Sequence, residues 1–200
     1  LYFNYGLTRD LRNSSYKATS GSVFNFNQKL PIFADSNEIE NGFNYSRYNK
    51  LNQTSDMVIK SSLYLKTVNS LGGGDVRVSK RANVPYYKLK GFEKGKVGPV
   101  DNSDYVGGNY VSTINLSTNL PGVLSTVENI DFSYFIDIAN VWGVDYDSSI
   151  DNSNVIRSST GIGLDWLTPV GPLSFSLTQP LTKKSTDNTE TFRFNLGTTF

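Results

Sequence analysis

The 200-residue chain contains no cysteine and no histidine. The first absence removes disulfides, thiolate zinc sites and cysteine nucleophiles together; the second removes the commonest general base and metal ligand. Catalysis would have to rest on Ser, Lys, Tyr or carboxylates, which argues against most enzyme classes and against a bound cofactor. Charge of one sign is lacking too. Lys and Arg number 19 against 18 Asp and Glu, so nothing pulls the chain as a whole toward nucleic acid or anionic lipid. No apolar run approaches the roughly 18 residues a membrane helix needs, which excludes helical spans and leaves a membrane barrel open. An initiator Met and a signal segment are also missing. The chain begins at Leu1 inside an alternating pattern and reads as the C-terminal piece of something longer.

What is present is alternation of period two. Leu1, Phe3, Tyr5 and Leu7 oppose Tyr2, Asn4, Gly6 and Thr8, and Phe24, Phe26 and Leu30 oppose Asn25, Asn27 and Lys29. The pattern recurs around Met57–Lys66, Tyr110–Leu120, Ile130–Ile138, Ile156–Trp166, Leu173–Thr178 and Phe192–Phe200, with a weaker strand at Asn41–Lys50. That makes nine strands and no convincing helix, so the fold class is all-β.

Alternation alone does not say which face is wet. A secreted β-sandwich buries the apolar face, whereas an outer-membrane barrel turns it to lipid and keeps a polar lumen. Three features favour an antiparallel transmembrane β-barrel. Compact connections such as "LTPVGP" (Leu167–Pro172) alternate with long polar ones at Ser70–Gly108 and Gly143–Ser153. Tyr110, Trp142 and Trp166 fall at strand ends, where an interfacial girdle sits. The polar face is rich in Asn, Ser, Lys and Asp, with Gly161 and Gly163 close together. This predicts turns at Leu51–Asp56, Leu120–Val127 and Leu167–Pro172 on the periplasmic rim with Phe200. Loops at Pro31–Glu38, Ser70–Gly108, Gly143–Ser153 and Thr182–Asn188 are predicted outside. Nine strands leave edges that lipid cannot satisfy, so the chain is expected to be about the last nine strands of a larger barrel.

One segment breaks the alternation. "YYKLKGFEKGKVGP" (Tyr86–Pro99) is basic and glycine-punctuated where a hairpin needs only a short turn. Followed by "VGGNY", "FIDIANVW", "GIGLDWLTPVGPLSFSLTQPL" and a terminal "ETFRFNLGTTF", it resembles the C-terminal half of the BamA family of outer-membrane barrel assembly factors. The resemblance implies a sixteen-stranded barrel behind periplasmic POTRA domains, with those domains and the first strands lying upstream. It implies a protein that folds and inserts β-barrel proteins into the outer membrane through a lateral seam. Its implied partners are unfolded outer-membrane proteins, outer-membrane lipid and accessory lipoproteins, with no nucleic acid.

The family's loop carries an Arg-Gly-Phe or Arg-Gly-Tyr signature that folds into the lumen and meets acidic residues of the wall. Here the matching residues are Lys90, Gly91 and Phe92, with Asp137 as the wall acid beside Phe135 on the polar face. Lysine in place of arginine loses the bidentate fork. Ser117 stands where many relatives carry a second wall acid, and Ala139 and Asn140 replace a small-residue pair. Lys94 and Lys96 read as solvated loop charges. Phe192, Phe194, Leu196, Gly197 and the final Phe200 resemble the terminal β-signal and supply the expected seam strand. These departures leave open the related translocation factor TamA, a two-partner secretion transporter and a passive porin-type channel. Three further motifs carry little: "DYDSSIDNSN" (Asp145–Asn154) lacks the glycine and glutamate of a calcium loop and reads as a solvated loop. "SSYK" (Ser14–Lys17) and "GGG" (Gly72–Gly74) lack the context that catalysis or phosphate binding demands.

Overall fold

The computed structural model describes residues 1–200 apart from 16, 34–36, 53–55, 122, 124–128, 170 and 197–200. In chain order the strands are β1 (Tyr2–Asp10), β2 (Gly21–Pro31), β3 (Glu38–Lys50), β4 (Val58–Ser70), β5 (Val100–Asp101), β6 (Asp104–Tyr105), β7 (Tyr110–Asn119), β8 (Ile130–Trp142), β9 (Arg157–Thr168), β10 (Gly171–Thr182) and β11 (Phe192–Leu196). Nine of them form one antiparallel meander, β1-β2-β3-β4-β7-β8-β9-β10-β11. These are the nine strands expected, with β3 starting at Glu38, three residues earlier than its weak alternation suggests.

The connection between β4 and β7 holds a feature that the alternation did not reveal. Within it β5 and β6 form a two-residue hairpin. Asn102 and Ser103 both adopt positive φ there, 46° and 76°, the left-handed pair that lets a tight turn follow the strand twist. Short 3-10 turns at Val78–Lys80 and Tyr86–Lys88 complete the segment.

The two faces of the sheet divide as the sequence predicts. Phe3, Tyr5, Leu7, Leu65, Ile114, Leu116, Tyr134, Ile162, Trp166 and Leu177 are exposed on the outer face. Thr113, Asp137, Ser159, Ser174 and Thr178 are buried on the inner one. An apolar outer face is the arrangement for lipid, since a water-soluble sheet would bury it. The sheet curls. Lys17, between β1 and β2, reaches Asp131 at the start of β8 at 2.6 Å, and the strands surround a cavity of about 1050 Å³ lined with polar-face residues such as Asn44, Asn115, Asp165 and Ser174. Gly161 is required by a close approach: a Cβ there would stand 2.2 Å from the Leu177 carbonyl and 2.9 Å from the Phe135 ring, directly across the ladder.

Antiparallel alternation brings the connections at residues 11–20, 51–57, 120–129 and 169–170 to one rim. Those at 32–37, 71–109, 143–156 and 183–191 come to the other, which groups turns and loops as expected. β1 and β11 end the strand order, and among the described residues neither pairs with a further strand.

Candidate functional site

The 71–109 connection turns inward and fastens to the inner face of β8. Pro85 precedes the Tyr86–Lys88 turn, its fixed φ of −59° setting the direction of entry. Two residues on, the Lys90 ammonium stands 2.8 Å from Asp137 Oδ2, and the Lys90 backbone N–H donates to the same oxygen at 3.1 Å. Asp137 is fully buried, while the Lys90 side chain keeps 23% exposure toward the cavity. The other carboxylate oxygen accepts from Asn115 Nδ2 at 2.8 Å, and Asn115 also donates to the Lys88 carbonyl at 2.7 Å. Phe135 lies beneath the cation, with Lys90 Nζ 4.0 Å from its ring centroid. A buried carboxylate is tolerated only when its lone pairs are satisfied, and three donor contacts from two residues do this.

Lys90, Gly91, Phe92, Phe135 and Asp137 are thus brought together, with a further partner that the sequence did not single out. Ser117 faces Phe135 across the ladder; Asn115 is the residue opposite Asp137 and the one that bonds it. A neutral amide suits this place, because Lys90 supplies a single point charge and a second carboxylate would lack a cation.

Gly91 has φ +88°, and a Cβ would lie 3.3 Å from Ser159 and Thr178. Glycine is needed there for both backbone and space. Ser159 Oγ donates to the Lys90 carbonyl at 2.5 Å, so the loop backbone touches β9 as well as β8. Phe92, 1% exposed, belongs to an apolar cluster with Val68, Leu89, Val97, Val111, Ala139 and Val141. Burying a phenylalanine contributes about 2–3 kcal/mol, comparable to the ion pair itself. Lys94 and Lys96 are exposed, as predicted.

Burial pushes the Lys88 ammonium down to about 8, with Lys60 adding to the effect and Asp137 opposing it. Its Nζ donates to Asn44 at 3.2 Å.

The rim above the loop is held by ion pairs that the sequence did not disclose, one of them from the stretch read as a solvated loop. Arg81 pairs with Asp145, whose second oxygen accepts from Val76 N–H at 2.8 Å and Asn109 Nδ2 at 2.9 Å. Burial raises the Asp145 pKa, but these three donors outweigh it and hold the carboxyl below its usual range. Arg157 and Asp187 pair at 2.9 Å with both side chains withdrawn from solvent, and Arg157 also donates to the buried Asn152 at 2.9 Å. The "DYDSSIDNSN" stretch is therefore not simply solvated: Asp145 holds the neighbouring 71–109 connection, Asp151 braces its own through the Gly143 N–H at 2.7 Å, and Asn152 ties it to the start of β9.

Among the described residues β11 pairs with β10 over five positions, Leu173–Leu177 against Phe192–Leu196. Phe192, Phe194 and Leu196 are exposed on the outer face, with Phe194 5.1 Å from Phe175. Gly197 and Phe200, expected to complete this strand, lie outside the described residues.

An antiparallel sheet with its apolar side chains outside, a polar interior and an inward-docked loop defines a segment of an outer-membrane-type β-barrel. The sequence matches the Omp85 superfamily domain over residues 1–200, and the chain belongs to that superfamily. It is 28% identical over 176 residues to the outer membrane protein assembly factor BamA of Neisseria meningitidis, covering 68% of this chain and 22% of that protein. To BamA of Nitratidesulfovibrio vulgaris it is 26% identical over 203 residues, covering 96% and 25%. The crystal structure of Haemophilus ducreyi BamA lacking POTRA domains 1–3 matches with a TM-score of 0.88 and 29% identity, over 96% of this chain and 41% of that one. The chain spans about a quarter or less of these two curated relatives' length. Family and outer face together make it an integral component of the outer membrane of a Gram-negative-type bacterium.

Proposed function

We propose that this chain is the C-terminal part of the barrel of an outer-membrane protein assembly factor, preceded in the full protein by further strands and POTRA domains. The observation that carries the reading is the docked loop: Lys90 on Asp137, with Gly91 and Phe92 seated against β8 and β9. A passive porin would share the alternation but not a Lys-Gly-Phe loop matched to a wall aspartate. The similarity to BamA proteins supports the same reading. The work done is exchange of strand hydrogen bonds at a lateral seam formed by β11, with no covalent step and no cofactor. An edge in lipid is costly to leave unsatisfied, so the seam trades partners with incoming strands. Unfolded barrel proteins and lipid are the direct partners, and accessory lipoproteins bind through the upstream domains.

The test is reconstitution of the full-length protein in lipid vesicles supplied with a urea-denatured outer-membrane barrel protein. Faster folding of that substrate than in empty vesicles is expected. Ion conductance without any acceleration would return the chain to the porin class.

A further inference from the structure

We infer that Arg193 is a positioning residue that fastens the terminal strand to the lumen loop, so that opening at β11 and undocking of the loop are energetically coupled. The inference rests on the proposed seam, and it follows from an arrangement that the pattern "FRFN" does not disclose.

Arg193 is an inward residue of β11, 9% exposed. Its guanidinium leaves the strand and spans the loop: Nη1 donates to the Tyr86 carbonyl at 2.5 Å, Nη2 to the Phe92 carbonyl at 2.6 Å, and Nε to Glu190. The two carbonyls flank the segment that carries Lys90, so one planar fork grips it at both ends while Asp137 holds the middle. The guanidinium also lies 5.6 Å from the Tyr86 ring centroid.

The chain entering β11 continues the attachment. Glu190 N–H donates to the Gly91 carbonyl at 3.1 Å and Glu93 N–H to the Asn188 carbonyl at 3.1 Å, around a bridge between Phe92 and Thr189. Among the described residues five ladder pairs tie β11 to β10, and Thr178 adds bonds to the Thr191 and Glu190 carbonyls. The loop is a second support of the edge strand from inside the barrel, and among the described residues no further strand pairs with its other side. Three charge-assisted donors on one buried side chain cannot all be satisfied if the strand moves without the loop. Movement of either one changes the free energy of the other by the same amount.

The test is hydrogen exchange on the full-length protein in lipid nanodiscs, comparing wild type, Arg193→Gln and Arg193→Lys. Exchange at residues 192–196 and 86–92 is expected to rise together by about ten-fold in Arg193→Gln, with β4, β7 and β8 unchanged. Arg193→Lys, a point charge without the fork, should give partial protection. A cysteine pair, Glu93→Cys with Asn188→Cys, joins two exposed side chains already 3.4 Å apart in a chain with no other thiols. Oxidising that pair in the Arg193→Gln background should return both segments to slow exchange, and reducing it should release them. Unchanged exchange in Arg193→Gln, acceleration of β11 alone, or acceleration that the oxidised tether does not reverse would each overturn the coupling. Because exchange is read without substrate, loss of assembly activity would remove the functional reading and leave this result standing.

Discussion

Asp137 Oδ2 receives Lys90 twice, from the ammonium at 2.8 Å and from the backbone N–H at 3.1 Å. The pair thus locks a side chain and the main chain of the same residue, and its two partners are not equivalent. Lys90→Ala leaves a buried carboxylate without its cation, a loss of roughly 3–5 kcal/mol for a buried pair broken from one side. Asp137→Ala lets the partly exposed ammonium escape to the cavity but orphans the Lys90 N–H and Asn115. Asp137→Asn keeps an acceptor for the N–H and is expected to be milder than Asp137→Ala. In the full-length protein, protease cleavage within 86–97 should rise in each single variant, and Lys90→Ala/Asp137→Ala should be no worse than the worse single. Strictly additive losses would mean that the loop is held elsewhere.

Gly91 and Gly95 separate two causes of strain. Both have positive φ, +88° and +70°, but only Gly91 has neighbours within reach of a Cβ. Gly95→Ala should cost about 1 kcal/mol for the left-handed backbone alone. Gly91→Ala should cost more, because Ser159 and Thr178 must also move. Equal effects on loop protection in the two variants would show that the wall yields freely.

Lys88 gives loop docking a pH dependence of definite sign. Its ammonium, ordinarily near 10.5, is lowered to about 8 in the docked loop by burial and by Lys60. Docking therefore releases a proton between these two values, and the docked state gains on the undocked one as pH rises from about 8 toward 10.5. Below about 8 the cost of holding the buried charge is fully present. A spin label at the exposed position 94 should become less mobile across this rise in wild type. Lys88→Met should flatten the response, and a label that grows more mobile would reverse the assignment.

Membrane orientation is open to direct labelling, since the chain offers no background thiols. Ser149 and Pro169 lie in connections at opposite rims. A cysteine at 149 should react with an impermeant maleimide on intact cells, and one at 169 only after the outer membrane is opened. The reverse pattern would invert the barrel.

The strands were legible because alternation is imposed residue by residue, and lipid outside with polar groups inside makes it strict. Lys90 and Asp137 were legible through resemblance, with glycine beside the cation as the physical clue. Asn115 was not, because its position opposite Asp137 depends on the β7–β8 register, which a period of two leaves undetermined by any even number of residues. Asp187 and Asp145 sit in polar connections, and Arg157 opens β9 beside one; the composition there is the same whether the charges are solvated or buried against one another. Arg193 reads as one polar residue of an alternating strand, and its partners lie 101 and 107 residues earlier, in a loop of irregular backbone.

Those separations carry a consequence for the order in which the molecule is made. The anchors that hold the Lys90–Phe92 backbone come later in the chain: Asp137 47 residues beyond Lys90, Ser159 69 beyond it, and Arg193 101 beyond Phe92. None exists for the loop until β8, β9 and β11 are in place. Closing a long chain segment costs only slightly more for each doubling of its length, so the first anchor meets most of the entropy and the later ones follow cheaply. Docking is then a late and cooperative event, and until it happens the basic segment and Phe92 remain outside their sockets. An incomplete barrel differs from a finished one by an unburied aromatic and a free cation, a chemical mark of immaturity written into the loop itself.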